Sequence, residues 1–319
     1  MARIEDYALI GDCRTAALVS REGSIDWYCC PRFDSEACFA ALLGTPEHGR
    51  WLIGPQAPAR ITRRYRPKTL VLETHFETEE GAAALIDFMP LDGHHSTIVR
   101  LVRGTRGRVL MHTELILRFG YGAIVPWVTR LEDGGLRAIA GPDMMVLRTP
   151  VQLRGVGMTT VGKFVIYKDE TIPFVLSYYP SHKPLHVSLD PTTALHDTET
   201  FWQGWSAKCR PAGPWSDIVL RSMITLKALT YAPTGGMVAA PTTSLPERLG
   251  GERNWDYRYC WLRDATLVLL GAMNAGYFDE AQAWREWLLR AVAGSPDQLQ
   301  IMYGKIGRAS CRERVSSPV

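Results

Sequence analysis

Between Arg253 and Asp264 the chain places four aromatic rings, Trp255, Tyr257, Tyr259 and Trp261, among three arginines and two aspartates. This is too polar for a core strand and too aromatic for an ordinary solvated face. Rings stack on the apolar C–H faces of a pyranose, guanidinium forks donate to its hydroxyls, and carboxylates accept from them. Arg253, Asp256, Trp261, Arg263 and Asp264 are therefore candidate sugar contacts, convergent polar groups among apolar walls being the mark of a binding site. The same residues read one at a time fit a second description, a helix entrance where aromatics pack and Arg and Asp pair.

The elements that position this cluster come from the pattern around it. With 319 residues, 46% of them hydrophobic, the chain is long enough for a large core and about two domains. Lys+Arg 36 against Asp+Glu 33 gives a net charge of +3, with the basic residues scattered, which argues against nucleic acid as a partner. No apolar run reaches membrane-spanning length and Met1 to Asp6 starts no signal peptide, so the expected location is cytoplasmic. The seven cysteines form no CxxC pair and His94, His95 and the other histidines no ligand spacing. Reduced thiols without a metal or other cofactor are expected.

Thr15 to Ser20 and Ser24 to Cys29, joined at Arg21-Glu22-Gly23, predict a hairpin. Asp34-Ser35-Glu36 predicts the cap of a short helix from Ala37 to Leu43. Asp12, Asp26 and Asp34 are rim candidates for a carbohydrate, with turn and cap duty the simpler reading. From Trp51 to about Leu189 short apolar runs recur: Thr69 to Phe76, Ala84 to Met89, Thr97 to Val102, Val109 to Leu117, Met144 to Leu147, Lys163 to Tyr167, Ile172 to Tyr178 and Leu185 to Leu189. Strands at this spacing predict an antiparallel β-sandwich over residues 1–190.

After Pro191 the period changes to that of a helix. Ala194 to Cys209 reads as a linker helix within residues 191–213, broken at Pro211-Ala212-Gly213-Pro214. Val219, Met223, Leu226 and Leu229 give a second helix one buried stripe. Leu267, Leu270 and Met273 predict the apolar face of a third, from Asp264 to Gly276. Asp279 and Gln282 predict a capping box for a fourth, through Ala291. The turn Gly276-Tyr277-Phe278 makes the last two an αα-hairpin, with the aromatic cluster at its mouth.

This order of elements, with Asp6 to Ser20, Gly23 to Trp27, Pro31 to Ser35 and Pro241 to Asp264, resembles glycoside hydrolase family 15, the bacterial glucoamylases and trehalases. The resemblance covers residues 4 to 304. It implies an N-terminal supersandwich followed by an (α/α)6 barrel, of which residues 214–304 supply the first helical hairpins. The implied activity is exo-acting hydrolysis of an α-glucoside, trehalose or a malto- or isomalto-oligosaccharide, with inversion and without cofactor. Trp261, Arg263 and Asp264 become contacts of the non-reducing glucose, with Asp256 and Arg253 beside them.

Inversion needs a carboxylic acid for the leaving oxygen and a carboxylate for the water, roughly 6.5–9.5 Å apart. The family carries both as glutamates on later hairpins, and Glu247, Glu252, Glu280 and Glu286 stand in neither context. The catalytic pair is thus expected outside this chain, which is expected to be inactive alone. Lys305 to Val315 lacks a hydrophobic period and resembles the in-frame translation of a sequencing-library adapter, so residues 305–319 are expected to be an artefactual tail, a basic tail being the alternative. Two further functions fit parts of the pattern: a non-catalytic carbohydrate-binding sandwich and a related helical-barrel sugar phosphorylase.

Overall fold

Apolar residues alternating with period two put successive side chains on opposite faces of a strand, and in this chain both faces find a core. The computed structural model describes residues 3–91, 95–185, 189–210, 213–248, 250–292 and 300–304. Two compact units result, Met1–Asp12 with Ala17–Gln203 and Cys13–Ala16 with Gly204–Val319.

The first unit is built on strands β1 (Ala8–Gly11), β2 (Ala16–Val19), β3 (Ser24–Cys29), β4 (Ala37–Phe39), β5 (Arg50–Pro55), β6 (Arg60–Tyr65), β7 (Leu72–Glu77) and β8 (Gly81–Phe88). They continue with β9 (Thr97–Ile116), β10 (Trp127–Arg130), β11 (Leu136–Ala140), β12 (Asp143–Arg148), β13 (Leu153–Val156), β14 (Thr159–Tyr167) and β15 (Thr171–Pro180). Neighbouring strands pair antiparallel, as in β2–β3, where Leu18 faces Trp27. Helix α1 (Pro191–Ser206) follows.

Strand β9 joins the two layers. Its first part pairs with β8 and β15. Its second part pairs with β14 and β5. The expected runs Thr97 to Val102 and Val109 to Leu117 are therefore one strand, bent where Gly104 and Gly107 lie. A Cβ on Gly104 would sit 2.0 Å from the Tyr167 carbonyl oxygen, and Gly107 has φ +57°. Glycine lets the strand turn from one sheet into the other instead of ending it.

Period two is visible in the packing. Phe174 and Leu176 of β15 enter the core between the layers with Trp51, Phe76, Leu85, Val102 and Met111. The neighbouring Val175 joins Ile86, Phe88, Val99 and Leu101 on the outer face, where Ala194 of α1 covers them. The fully buried Arg100 spans part of this core. Its Nε donates to Asp87 Oδ1 at 2.8 Å and its Nη atoms to the Trp51 and Gly23 carbonyls, each at 2.7 Å. It also lies 5.0 Å from the Trp51 ring centroid.

The second unit holds α2 (Ser216–Ala228), a two-residue strand β16 (Cys260–Trp261), α3 (Leu262–Asn274), α4 (Phe278–Ala291) and β17 (Met302–Tyr303), with β16 paired to β17. The α3–α4 turn closes as a Schellman motif: Tyr277 N–H donates to Ala272 O at 2.8 Å and Gly276 N–H to Met273 O at 3.0 Å. Gly276 supplies the φ of +95° this needs. The core beneath is Met237, Cys260, Leu269, Trp284, Trp287 and Tyr303.

Four local expectations change. Ala37 to Leu43 is not a helix: Phe39 pairs with Tyr28, so Ala37–Phe39 becomes β4, and Ala41–Leu43 forms one 3-10 turn. Sheet pairing outweighs the weak helix preference of so short a run. No capping box forms at α4, where Gln282 instead donates to Glu286 Oε1 at 3.1 Å. The third change concerns α3, whose buried positions are Ala265, Leu269 and Ala272. Leu267 and Leu270 are 64% and 53% exposed, because the helix is apolar on more than one face and α4 meets the other one. Fourth, of the expected strand Leu185 to Leu189, residues 186–188 lie outside the described residues and Leu185 and Leu189 are not in a strand; residues 305–319 also lie outside them.

Candidate functional site

The segments Pro241 to Glu247 and Arg253 to Tyr259 run back to back as an irregular hairpin. Ala240 N–H donates to Tyr257 O at 2.9 Å, Ser244 N–H to Trp255 O at 3.2 Å, and Glu247 N–H to Arg253 O at 3.2 Å. Thr243 and Asp256 form an isolated bridge. The second segment then enters β16 and the first turn of α3, and β17 pins that junction through Cys260 opposite Tyr303. A backbone tied on both sides holds its side chains in fixed directions.

Those side chains divide by burial. Asp256 and Arg258 point inward. The Arg258 fork reaches both carboxylate oxygens of Asp256, Nε to Oδ1 at 3.0 Å and Nη2 to Oδ2 at 2.7 Å. Arg258 N–H also donates to Oδ1 at 2.9 Å. In an extended segment residues two apart share a face, which is why these two meet. Trp261 is held from the same place: its Nε1–H donates to the Asp256 carbonyl at 3.2 Å.

Outward lies an aromatic ledge. Tyr257 and Trp261 stack with centroids 5.5 Å apart and planes at 29°, and Trp255 meets Trp261 edge-on at 6.4 Å. Charged groups flank the rings. Arg263 Nη2 contacts Asp264 Oδ2 at 3.0 Å, with Arg263 exposed and Asp264 half-buried. Arg253 reaches Glu247 at 3.8 Å, and Tyr257 O–H donates to the same carboxylate at 3.3 Å.

Of the predicted contacts, Trp261, Arg263, Asp264 and Arg253 thus lie along one exposed or half-exposed strip. Asp256 lies behind it with its carboxylate taken by Arg258. Tyr257, Arg258 and Glu247 belong to the same cluster and were not among the predicted contacts. The period-two spacing of Asp256 and Arg258 carried the signal for that pair. The rim candidates of the first unit have internal partners: Asp26 accepts from Tyr7 O–H at 2.6 Å, Asp12 from Ser96 O–H at 3.3 Å, and Asp34 from Arg32 Nε at 2.9 Å.

Glu280 of α4 is a second polar centre of this unit, its side chain 11% exposed. Trp205 Nε1–H donates to it at 2.6 Å and Lys227 Nζ at 3.1 Å, while the Trp205 ring stacks on Tyr277 at 4.1 Å. Burial pushes the Glu280 pKa upward, but the indole donor and the ammonium outweigh it and hold the carboxyl below its ordinary value.

A bacterial glucoamylase solved with acarbose shares this fold, superposing with a TM-score of 0.68 at 12% identity over 96% of this chain and 52% of that one. Residues 1–176 match the family description "Trehalase-like, N-terminal", and residues 213–317 match "Glycosyl hydrolases family 15". The chain belongs to family 15 of the glycosyl hydrolases, with a trehalase-like N-terminal domain. Its relatives include a trehalase of Mycolicibacterium smegmatis, 33% identical over 97% of this chain and 51% of its own length. A trehalase of Thermoplasma volcanium is 32% identical over 88% and 46%. The chain spans about half the length of the curated relatives it matches.

Proposed function

We propose that this chain carries the glucose-holding part of an inverting, exo-acting α-glucoside hydrolase, with trehalose the first substrate to test because the curated relatives are named trehalases. The observation that carries the reading is the ledge itself. Trp255, Tyr257 and Trp261 offer ring faces, Arg263 and Arg253 donors, and Asp264 an acceptor, on a backbone fixed by the Pro241–Glu247 pairing. In this reading Trp261 stacks on the apolar face of the non-reducing glucose. Arg263 and Asp264 bind its hydroxyls, and Arg253 closes one edge. Asp256 acts behind them, fixing the Trp261 indole.

The bond-breaking pair is proposed to lie outside this chain. A general acid must hold its proton near neutral pH. Glu247, Asp256, Asp264 and Asp279 each pair with an arginine or lysine, and the Trp205 indole and Lys227 ammonium hold the Glu280 carboxyl below its ordinary value, so none of the five stands apart as a free acid. The chain alone would then bind the sugar and turn it over very little, since ground-state contacts by themselves do not lower the barrier.

Titration calorimetry of the 319-residue chain with trehalose and maltose, beside a glucose-release assay, tests both parts. Saturable binding that Trp261→Ala and Asp264→Asn each weaken, without turnover, is the expected result. Turnover at the level of an intact family enzyme would refute the assignment of the acid and base, and binding indifferent to both substitutions would refute the ledge.

A further inference from the structure

A cavity of about 400 Å³ opens within the sandwich unit, far in sequence from the aromatic ledge. It lies where the β10–β11–β12 meander and the β13–β14 hairpin flank the end of β9. The body of the cavity is aliphatic: Leu117, Leu136, Ala138, Leu147 and Leu153 line it. Its charged groups are of one sign. Arg118, Arg130 and Arg154 contribute guanidinium groups and Thr129, Thr159 and Thr160 hydroxyls, and the described lining contains no Asp or Glu.

Arg118 makes this arrangement informative. The residue is only 9% exposed. Its Nη1 donates to the Leu117 carbonyl at 2.7 Å and the Met158 carbonyl at 3.2 Å. No carboxylate stands within 4.0 Å of it among the described residues; the other buried arginines, Arg100 and Arg258, each hold an aspartate. Burial lowers the Arg118 pKa, and the charge of Glu47 acts against this. Among the described residues Arg130 likewise donates to a carbonyl, that of Leu153 at 2.9 Å, and to no carboxylate. A buried cation is ordinarily paired, because desolvating it alone is costly.

Unlike the ledge, this lining offers no carboxylate to a sugar's hydroxyl protons, and its charged side chains are all cationic. An anion with an apolar body matches it on both counts. We infer that this cleft is a binding site for a small amphiphilic carboxylate, whose head pairs with Arg118 and the flanking Arg130 and Arg154, and whose chain lies among Leu117, Leu136, Leu147 and Leu153. The volume falls in the range of ordinary small-molecule pockets. This site is independent of the glucose-holding ledge and does not rest on it.

Octanoate is the probe, with octan-1-ol as its uncharged counterpart, and calorimetry on the 319-residue chain is the readout. Octanoate should bind saturably, raise the unfolding temperature and outcompete octan-1-ol. Arg118→Met should weaken it about tenfold or more, as loss of a charge-assisted bond does. Leu136→Trp, which fills the cleft, should do the same, with circular dichroism confirming the fold of each variant. If Arg118→Met does not fold, the exposed pair Arg130→Ala with Arg154→Ala decides, and unchanged affinity there overturns the site. The proposal also fails if octanoate binds no tighter than octan-1-ol, if no binding appears up to its solubility, or if only an acidic, apolar peptide binds.

Discussion

The Arg258 guanidinium spans both carboxylate oxygens of Asp256, and the carbonyl of that same aspartate holds the indole N–H of Trp261. A buried ion pair thus sits directly beneath the ring proposed to carry the sugar. Both side chains are at most 10% exposed, so removing one leaves the other charged and desolvated. Arg258→Met is expected to cost about 3 kcal/mol of stability, read from urea unfolding followed by tryptophan fluorescence. Asp256→Asn, which keeps the backbone carbonyl, should cost less and shift the Trp261 environment more than it changes sugar chemistry.

Trp261→Ala removes the central ring of the ledge while leaving the Asp256–Arg258 pair in place. Trehalose affinity should fall by about tenfold, the scale of one aromatic contact. Trp255→Ala removes a more exposed ring and should cost less. Equal losses in the two variants would contradict the ordering.

The Glu280 centre predicts a pH dependence. Its carboxyl titrates lower in the folded chain than in the unfolded one, so the unfolded chain takes up the proton first as pH falls. The stabilisation is therefore complete above roughly pH 5 and is lost as pH drops through about 4 and below. Glu280→Gln should be less stable than the parent at pH 7 by about 1–2 kcal/mol, and the gap should close under acid. A gap independent of pH between 3 and 7 would show that Lys227 and Trp205 do not act through the charge.

The sandwich has its own test at Arg100. Arg100→Met strips Asp87 of its partner and leaves the Trp51 and Gly23 carbonyls without their donor, so about 3–5 kcal/mol should be lost. Adding Asp87→Leu removes the orphaned charge but not the orphaned carbonyls. The double variant should therefore recover only part of the loss in a thermal melt.

On α3 the apolar side chains of Leu267, Leu270 and Met273 meet solvent. A strip of this kind promotes association. Sedimentation should show concentration-dependent self-association of the 319-residue chain, reduced in Leu267→Lys combined with Leu270→Lys.

Much of this was legible in the sequence because it depends on local period. The alternation in Ile172 to Tyr178 marks a strand whichever sheet it joins, and the spacing of Val219, Met223 and Leu226 marks a helix. What depends on a distant partner was not legible. Gly104 and Gly107 look like a strand break until the second sheet shows that β9 continues through them. Leu267 and Leu269 are equally apolar, and only the position of α4 decides which is covered. Within the site, composition identified the cluster, but nothing in the residue types said that Asp256 faces inward and Asp264 outward. That division follows from period two as the segment runs through β16 and from the start of α3 at Leu262.

The path of β9 has a consequence for how the sandwich comes apart. A strand whose ends are hydrogen-bonded into different layers cannot let one layer peel away while the other stays intact. Amide protons from Thr97 to Ile116 should therefore exchange with solvent together, on the timescale of whole-unit opening, while those of the edge hairpin around β10 exchange sooner. The twenty residues act as a common hinge pin, and the two layers share one melting event.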